Sequence, residues 1–159
     1  MNELMPLRYK VSMRARRGVE LFLVSAKVVV VITAVAKVVT LLKHPAALEL
    51  IDSVTTIRFW KVMTIALLME CALLILLWSR IGLLIKALSL LYFSLITGAY
   101  RVVAHMADQS WCPCLGSFGG WAALTQHQVN MLLSAIVMYL FVGSVTSVTI
   151  SYKCHGLSP

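Results

Sequence analysis

Acidic residues are scarce in this chain: six Asp and Glu stand against fourteen Lys and Arg in 159 residues, for a formal net charge of +8. With so few carboxylates, no pair suited to general acid–base work is present. The eight glycines build no phosphate-binding loop, and no serine sits in a nucleophile motif, so hydrolase and nucleotide chemistry are unsupported. Charge of either sign is thin at 13%, whereas 60% of the residues are hydrophobic and the mean hydropathy is +0.90. Soluble domains carry about 25% charged and about 45–50% apolar residues, so this composition excludes one and points to a single integral membrane domain. There is no internal repeat and no low-complexity stretch.

Crossing about 30 Å of hydrocarbon takes about 20 apolar residues. Four runs reach that length: Val19 to Leu42, Phe59 to Trp78, Ile81 to Ala104 and Val129 to Tyr152. They are continuous rather than alternating, which predicts helices instead of barrel strands. The expected architecture is all-α, an integral membrane four-helix bundle occupying residues 19–152. A basic arm (1–18) precedes it, with Leu7, Val11 and Met13 alternating with cations as in an interfacial helix, and a short tail (153–159) follows it. Ala34-Val35-Ala36 resembles a processing site. Lys27 interrupts the apolar stretch, however, and the stretch continues to Leu42, so the first span is expected to remain uncleaved.

The positive charge is not that of a nucleic-acid binder, because no DNA- or RNA-binding pattern accompanies it. Arg8, Lys10, Arg14, Arg16 and Arg17 cluster before the first span, where they act as a positive-inside anchor and attract anionic lipid heads. Arg80 and Lys153 fall on the same side, so both termini are expected in the cytoplasm of a bacterial inner membrane. Residues 43–58 have the spacing of an amphipathic surface helix that begins at Pro45. Ser79-Arg80 allows only a short turn between the second and third spans. The connection 105–128 is the longest and would face outward.

That outer connection carries Cys112-Pro113-Cys114, framed by Trp111, Phe118 and Trp121. A disulfide stabilises a fold mainly by closing a long loop, so bridging two cysteines one residue apart would add little. The ring is also too tight for relaxed geometry, and strained, exposed disulfides are the more oxidising ones. Reversible pairing fits these properties. Metal ligation and inert thiols are the alternatives; zinc would need further ligands, with only His105, His127 and Cys154 on offer, and no metal site is expected. The tryptophans prefer the headgroup level and would hold the loop at the interface. There it is within reach of an exported thiol or disulfide partner, or of a quinone dissolved in the bilayer. Cys71 reads as a buried apolar filler and Cys154 as an unpaired cytoplasmic thiol.

Ionisable residues inside a membrane are costly and therefore informative. Lys27 and Lys86 lie close enough to the inner face to snorkel. Lys37 sits toward the outer end of span one, Arg101 one turn from the outer end of span three, and Glu70 near the middle of span two. A Lys37–Glu70 pair is within reach of a lysine stem. It would either lock the bundle or line a polar path. Cations near the outer face, Lys37 and Arg101, would favour the thiolate of Cys112 or Cys114, the reactive form. His105, Asp108 and Gln109 form either a proton shuttle or a solvated rim.

Four spans, a lysine late in the first (Ala36-Lys37), a mid-membrane glutamate in the second (Met69-Glu70), and Cys112-Pro113-Cys114-Leu115-Gly116 before the fourth together resemble the MauE/DoxX-like family. The likeness covers roughly residues 19–150. Members often carry Phe where this chain has Leu115, and an acidic residue where His44 precedes Pro45. The resemblance implies a role in maturing disulfide-rich exported enzymes, such as methylamine dehydrogenase, with Lys37, Glu70, Cys112 and Cys114 as the functional positions. Arg101 is added on charge alone. Since no second cysteine pair exists to pass electrons inward, the chain is either a thiol–disulfide oxidoreductase or a relay that depends on a partner. The competing expectation is a non-catalytic assembly or transport component.

Overall fold

The structure is a computed structural model describing residues 4–43, 52, 55–106 and 125–155, with side chains for 17–42, 52, 55–106, 125 and 127–152. It contains four helices: α1 (Leu4–Lys43), α2 (Phe59–Trp78), α3 (Leu83–Met106) and α4 (Gln126–His155). Each is long and apolar enough to cross a membrane, and no strand occurs among the described residues. The protein is thus an all-α, multi-pass membrane bundle.

The basic arm is helical, as its spacing suggested, but it is not a helix separate from the first span. Helix α1 runs unbroken from Leu4, so the basic segment 4–18 continues the first span as helix. The cations end the hydropathic run but not the helix, because Arg, Lys, Met and Leu are all good helix formers. Helix α2 coincides with its apolar run. At its end the Ser79 amide donates to Ile75 O at 2.9 Å. The short turn at Ser79-Arg80 then leads to Gly82, whose carbonyl accepts from Ile85 and Lys86 as α3 starts. Helix α4 begins three residues before its expected span. Thr125 and Gln128 form a reciprocal capping box there, in which the Thr125 amide donates to Gln128 Oε1 at 2.9 Å and the Gln128 amide to Thr125 Oγ1 at 3.4 Å. The outer connection is accordingly shorter than expected, because α3 extends to Met106.

Cross-helix contacts define an antiparallel up-down-up-down bundle. Phe22 and Ser25, near the start of the apolar part of α1, meet Tyr139 and Gly143 at the middle of α4. At the opposite end Arg101 of α3 meets Asn130 of α4. The helices form a ring in which α3 packs most closely on α4 and α1 on α2, while α2 and α3 touch least of the four neighbouring pairs.

Only 17–28% of the residues in the apolar windows of these helices are buried within the bundle. The outward faces carry large apolar side chains, among them Leu21, Leu42, Leu68 and Ile75, each more than 60% exposed. Such continuous apolar surface is untenable in water and natural against lipid tails. Trp60 lies exposed near one end of α2 and Trp78 at the other, about 27 Å apart along a helix rising about 1.5 Å per residue. That separation matches the hydrocarbon thickness and places indole rings at both interfaces.

The interior combines Leu, Val and Met with small and hydroxylated residues. Ala26, Ala87, Ser94, Ser144 and Ser147 are all buried, which allows backbones to approach closely without a hydrophobic drive between helices. Most of the buried serine hydroxyls are satisfied on their own helices, as in Ser94 Oγ to Leu91 O at 2.8 Å and Ser147 Oγ to Gly143 O at 2.6 Å, whereas Ser151 Oγ has no partner among the described residues. Phe22 and Tyr139 pack edge-to-face at 5.5 Å. The Phe22 ring also lies directly over Gly143, where any Cβ would fall inside it. Gly143→Ala is therefore expected to force Phe22 off its seat and to cost about 1–3 kcal/mol, read as a lower midpoint in detergent-mediated unfolding.

Candidate functional site

The described residues bring Lys37 and Glu70 together. Lys37 stands on the last two turns of α1 and Glu70 at the centre of α2; these depths bring the lysine stem alongside the carboxylate. Lys37 Nζ donates to Glu70 Oε1 at 2.5 Å, with both side chains almost fully buried. Thr33 sits one helical turn before Lys37, on the same face, and its Oγ1 lies 3.0 Å from Glu70 Oε1 and 3.0 Å from Val30 O. With one proton, the hydroxyl shares or alternates between these acceptors. Glu70 Oε1 is thus well served, whereas Glu70 Oε2 is buried with no partner among the described residues.

The pair lines a cavity of about 190 Å³ bounded by all four helices. Its walls are mostly Val, Ile, Leu, Met and Phe, with Thr33, Lys37, Glu70, Ser94, Thr97 and Tyr100 as the polar lining. Ile65 of α2 and Ile96 of α3 line the cavity and are also exposed on the outer surface, at 55% and 36%. The opening therefore lies at the loosely packed seam between α2 and α3 and faces the lipid.

A second polar centre closes the same end of the bundle. Asp52 is 1% exposed; its Oδ2 accepts from the Thr55 amide at 2.9 Å and from Thr55 Oγ1 at 2.7 Å, and its Oδ1 accepts from Tyr100 OH at 2.8 Å. Its backbone carbonyl accepts from the Thr56 amide at 2.8 Å, and its amide donates to Ile57 O. These bonds hold Thr56 at φ 56°, a left-handed conformation uncommon for a β-branched residue. Residues 55–58 form this turn rather than the end of the amphipathic helix expected over 43–58; residues 44–51, 53 and 54 lie outside the described residues. The turn wins because a buried carboxylate must be satisfied, and here it gathers its partners from the connection and from α3.

Arg101, three residues before Ala104 on α3, does not join the Lys37–Glu70 pair. Its Nη2 donates to Asn130 O at 3.2 Å, and its Nη1 is buried without a partner among the described residues. His105 and His127 are exposed at this end. Cys112, Cys114, Trp111, Phe118, Trp121, Asp108 and Gln109 lie outside the described residues, and no side chain is described for Cys154. Among the described residues no three or more His, Cys, Asp or Glu gather.

Cys71 corrects the sequence reading: it is exposed, not a buried filler. Neighbouring residues of a helix point about 100° apart, so turning Glu70 inward turns Cys71 outward to the lipid. Thr33, Asp52 and Tyr100 are the polar partners that sequence reasoning missed. Thr33 was signalled by its spacing of four from Lys37; Asp52 had no such signal, since Glu49 is a second acidic residue in the same connection.

The fold and this site define a class: a four-helix membrane protein with a buried ion pair in a lipid-facing cavity. No protein-family model, no curated protein and no solved structure matches the chain.

Proposed function

We propose that this chain is a thiol–disulfide relay, or maturation factor, for disulfide-rich exported enzymes, working in a bacterial inner membrane through Cys112 and Cys114. The observation that carries the reading is the Cys112-Pro113-Cys114 sequence, a pair too closely spaced to serve as a staple. It is supported by the cation bias of the amino-terminal segment, which favours cytoplasmic termini and an outward-facing connection after α3. The oxidising compartment on that side is where disulfides persist. Arg101, whose Nη1 has no partner among the described residues, adds a cation near the end of α3 at the margin of that connection. The resemblance to the MauE/DoxX-like family points the same way, toward exported disulfide-rich clients.

In the exchange, a client thiolate attacks one sulfur of the Cys112–Cys114 disulfide and releases the other as a thiolate. The client's second thiolate then attacks the mixed disulfide. The client leaves oxidised, and two electrons and two protons remain on the Cys112/Cys114 dithiol. A disulfide-bearing donor protein restores the pair by the same exchange in reverse. A membrane quinone, taking up two electrons and two protons, is the alternative terminal acceptor.

The test is alkylation of intact cells with a membrane-impermeant thiol reagent, in a background with Cys71→Ser and Cys154→Ser. Labelling of Cys112 and Cys114 only after reduction is the expected result. If the pair stays unlabelled even after reduction, it is not outward-facing and the relay reading fails.

A second reading, a non-catalytic assembly or transport component, is favoured by a different observation: the Lys37–Glu70 pair lines an open cavity rather than a sealed core. It places function on the pair and makes the cysteines dispensable.

A further inference from the structure

Glu70 Oε1 takes both Lys37 Nζ and Thr33 Oγ1, while Oε2 is buried with no partner among the described residues. Leaving a carboxylate oxygen unpaired in an apolar interior is costly, and native structures rarely do so without a reason. The same residue lines a cavity of about 190 Å³. We infer that this cavity binds a neutral, membrane-soluble, single-ring compound whose hydroxyl donates to Glu70 Oε2.

Charge selects the class. Lys37 already neutralises Glu70, so a cationic ligand would leave one net positive charge in an apolar cavity, and an anion would face the unpaired carboxylate oxygen. Both carry a desolvation cost that a neutral donor avoids. A purely apolar ligand would fill the space but leave Oε2 unsatisfied. Size selects a single ring: a cavity of about 150 Å³ lined by apolar side chains accommodates benzene, so about 190 Å³ suits a ring with one or two substituents. The opening between Ile65 and Ile96 faces lipid, which makes the bilayer the source. The terminal torsion of a glutamate is broad, so a modest rotation can aim Oε2 at a guest while Lys37, on its flexible stem, follows Oε1. This inference does not depend on the thiol chemistry and stands or falls separately from it.

The experiment uses the full chain in detergent micelles and two isomers of equal size: 4-ethylphenol, which carries a donor, and 4-methylanisole, which accepts only. Ethylbenzene controls for partitioning. At saturation 4-ethylphenol is expected to raise Tm by about 5 °C. Its apparent affinity should exceed that of 4-methylanisole by at least about tenfold, the factor expected for a hydrogen bond to a charged acceptor. In Glu70→Gln an amide nitrogen replaces Oε2 and the preference should invert toward 4-methylanisole. Ala66→Phe, which fills the cavity from α2 and leaves the ion pair in place, should abolish the response to both isomers. This second variant tests the site even where Glu70→Gln weakens the fold. Equal shifts from the two isomers, an unchanged preference in Glu70→Gln, or a full phenol response in Ala66→Phe would each overturn the proposal.

Discussion

Glu70→Leu is expected to destabilise the bundle by about 3–5 kcal/mol, because it strands the Lys37 ammonium in an interior where Asp52, the other buried carboxylate among the described residues, is already bonded to Thr55 and Tyr100. Lys37 is 5% exposed and Glu70 2%, so neither can be rescued by water where it stands. Lys37→Leu should cost a similar amount for the converse reason, an unpaired carboxylate held only by the Thr33 hydroxyl. The informative variant is the double replacement. Two leucines remove both charges and fill space beside the cavity, so Lys37→Leu with Glu70→Leu should recover most of the loss, to within about 1–2 kcal/mol of the parent. The measurement is reversible unfolding in mixed micelles, followed by far-ultraviolet circular dichroism. Additive losses in the double variant would mean that the two charges do not act as a pair. The cost is specific to burial: a lipid-exposed Lys could snorkel instead, as the half-buried Lys27 and Lys86 can along their aliphatic stems.

The pair was legible in the sequence because depth along a span is legible. Charges and aromatics punctuate apolar runs, so the number of residues to each end places Lys37 and Glu70 within a few ångströms of one level. The same punctuation located α2 to the residue, since Arg58 and Ser79-Arg80 flank it. It failed at α1, where hydropathy ends at Arg17 but helical backbone does not. Hydropathy marks the membrane, whereas propensity and hydrogen bonding mark the helix.

Facing is a separate matter. In a soluble helix, apolar residues mark the buried side; here Ile75 and Leu68 look outward and Leu73 and Leu77 inward, and composition does not separate them. Lipid tails are as apolar as leucine, so only polar and small residues report the inner face. Cys71 was misassigned for this reason: sulfur is indifferent between lipid and core, and only its position next to Glu70 decides. The Asp52–Tyr100 bond was not legible either. It joins residues 48 positions apart, and the periodicity of 43–58 argued for a surface helix, whereas a buried carboxylate organised a turn.

Serine at both Cys112 and Cys114 is expected to abolish oxidation of the exported client, down to the level of cells lacking the chain, while leaving the bundle folded. The two halves of that expectation have different physical origins. Loss of exchange follows because a hydroxyl can neither attack a disulfide nor carry an electron pair between thiols. Retention of the fold follows because a bridge across one intervening residue closes almost no loop, so its removal should move the unfolding midpoint little. The Lys37→Leu, Glu70→Leu double variant provides the opposing test, since it keeps both thiols and most of the stability. A relay predicts that this variant still oxidises client while the serine pair does not. A docking or transport component predicts the reverse ranking. Single replacements then separate the two thiols: a cysteine kept alone can attack the disulfide of an oxidised client but has no neighbouring thiol to release the adduct, so the variant that keeps the client-facing cysteine should accumulate a mixed disulfide that reductant releases, visible as a mobility shift on non-reducing gels, and the variant that keeps the other should not. If neither single variant traps a client and the serine pair matures exported enzymes normally, the Cys-Pro-Cys element is not a redox centre, and function belongs to the ion pair and its cavity.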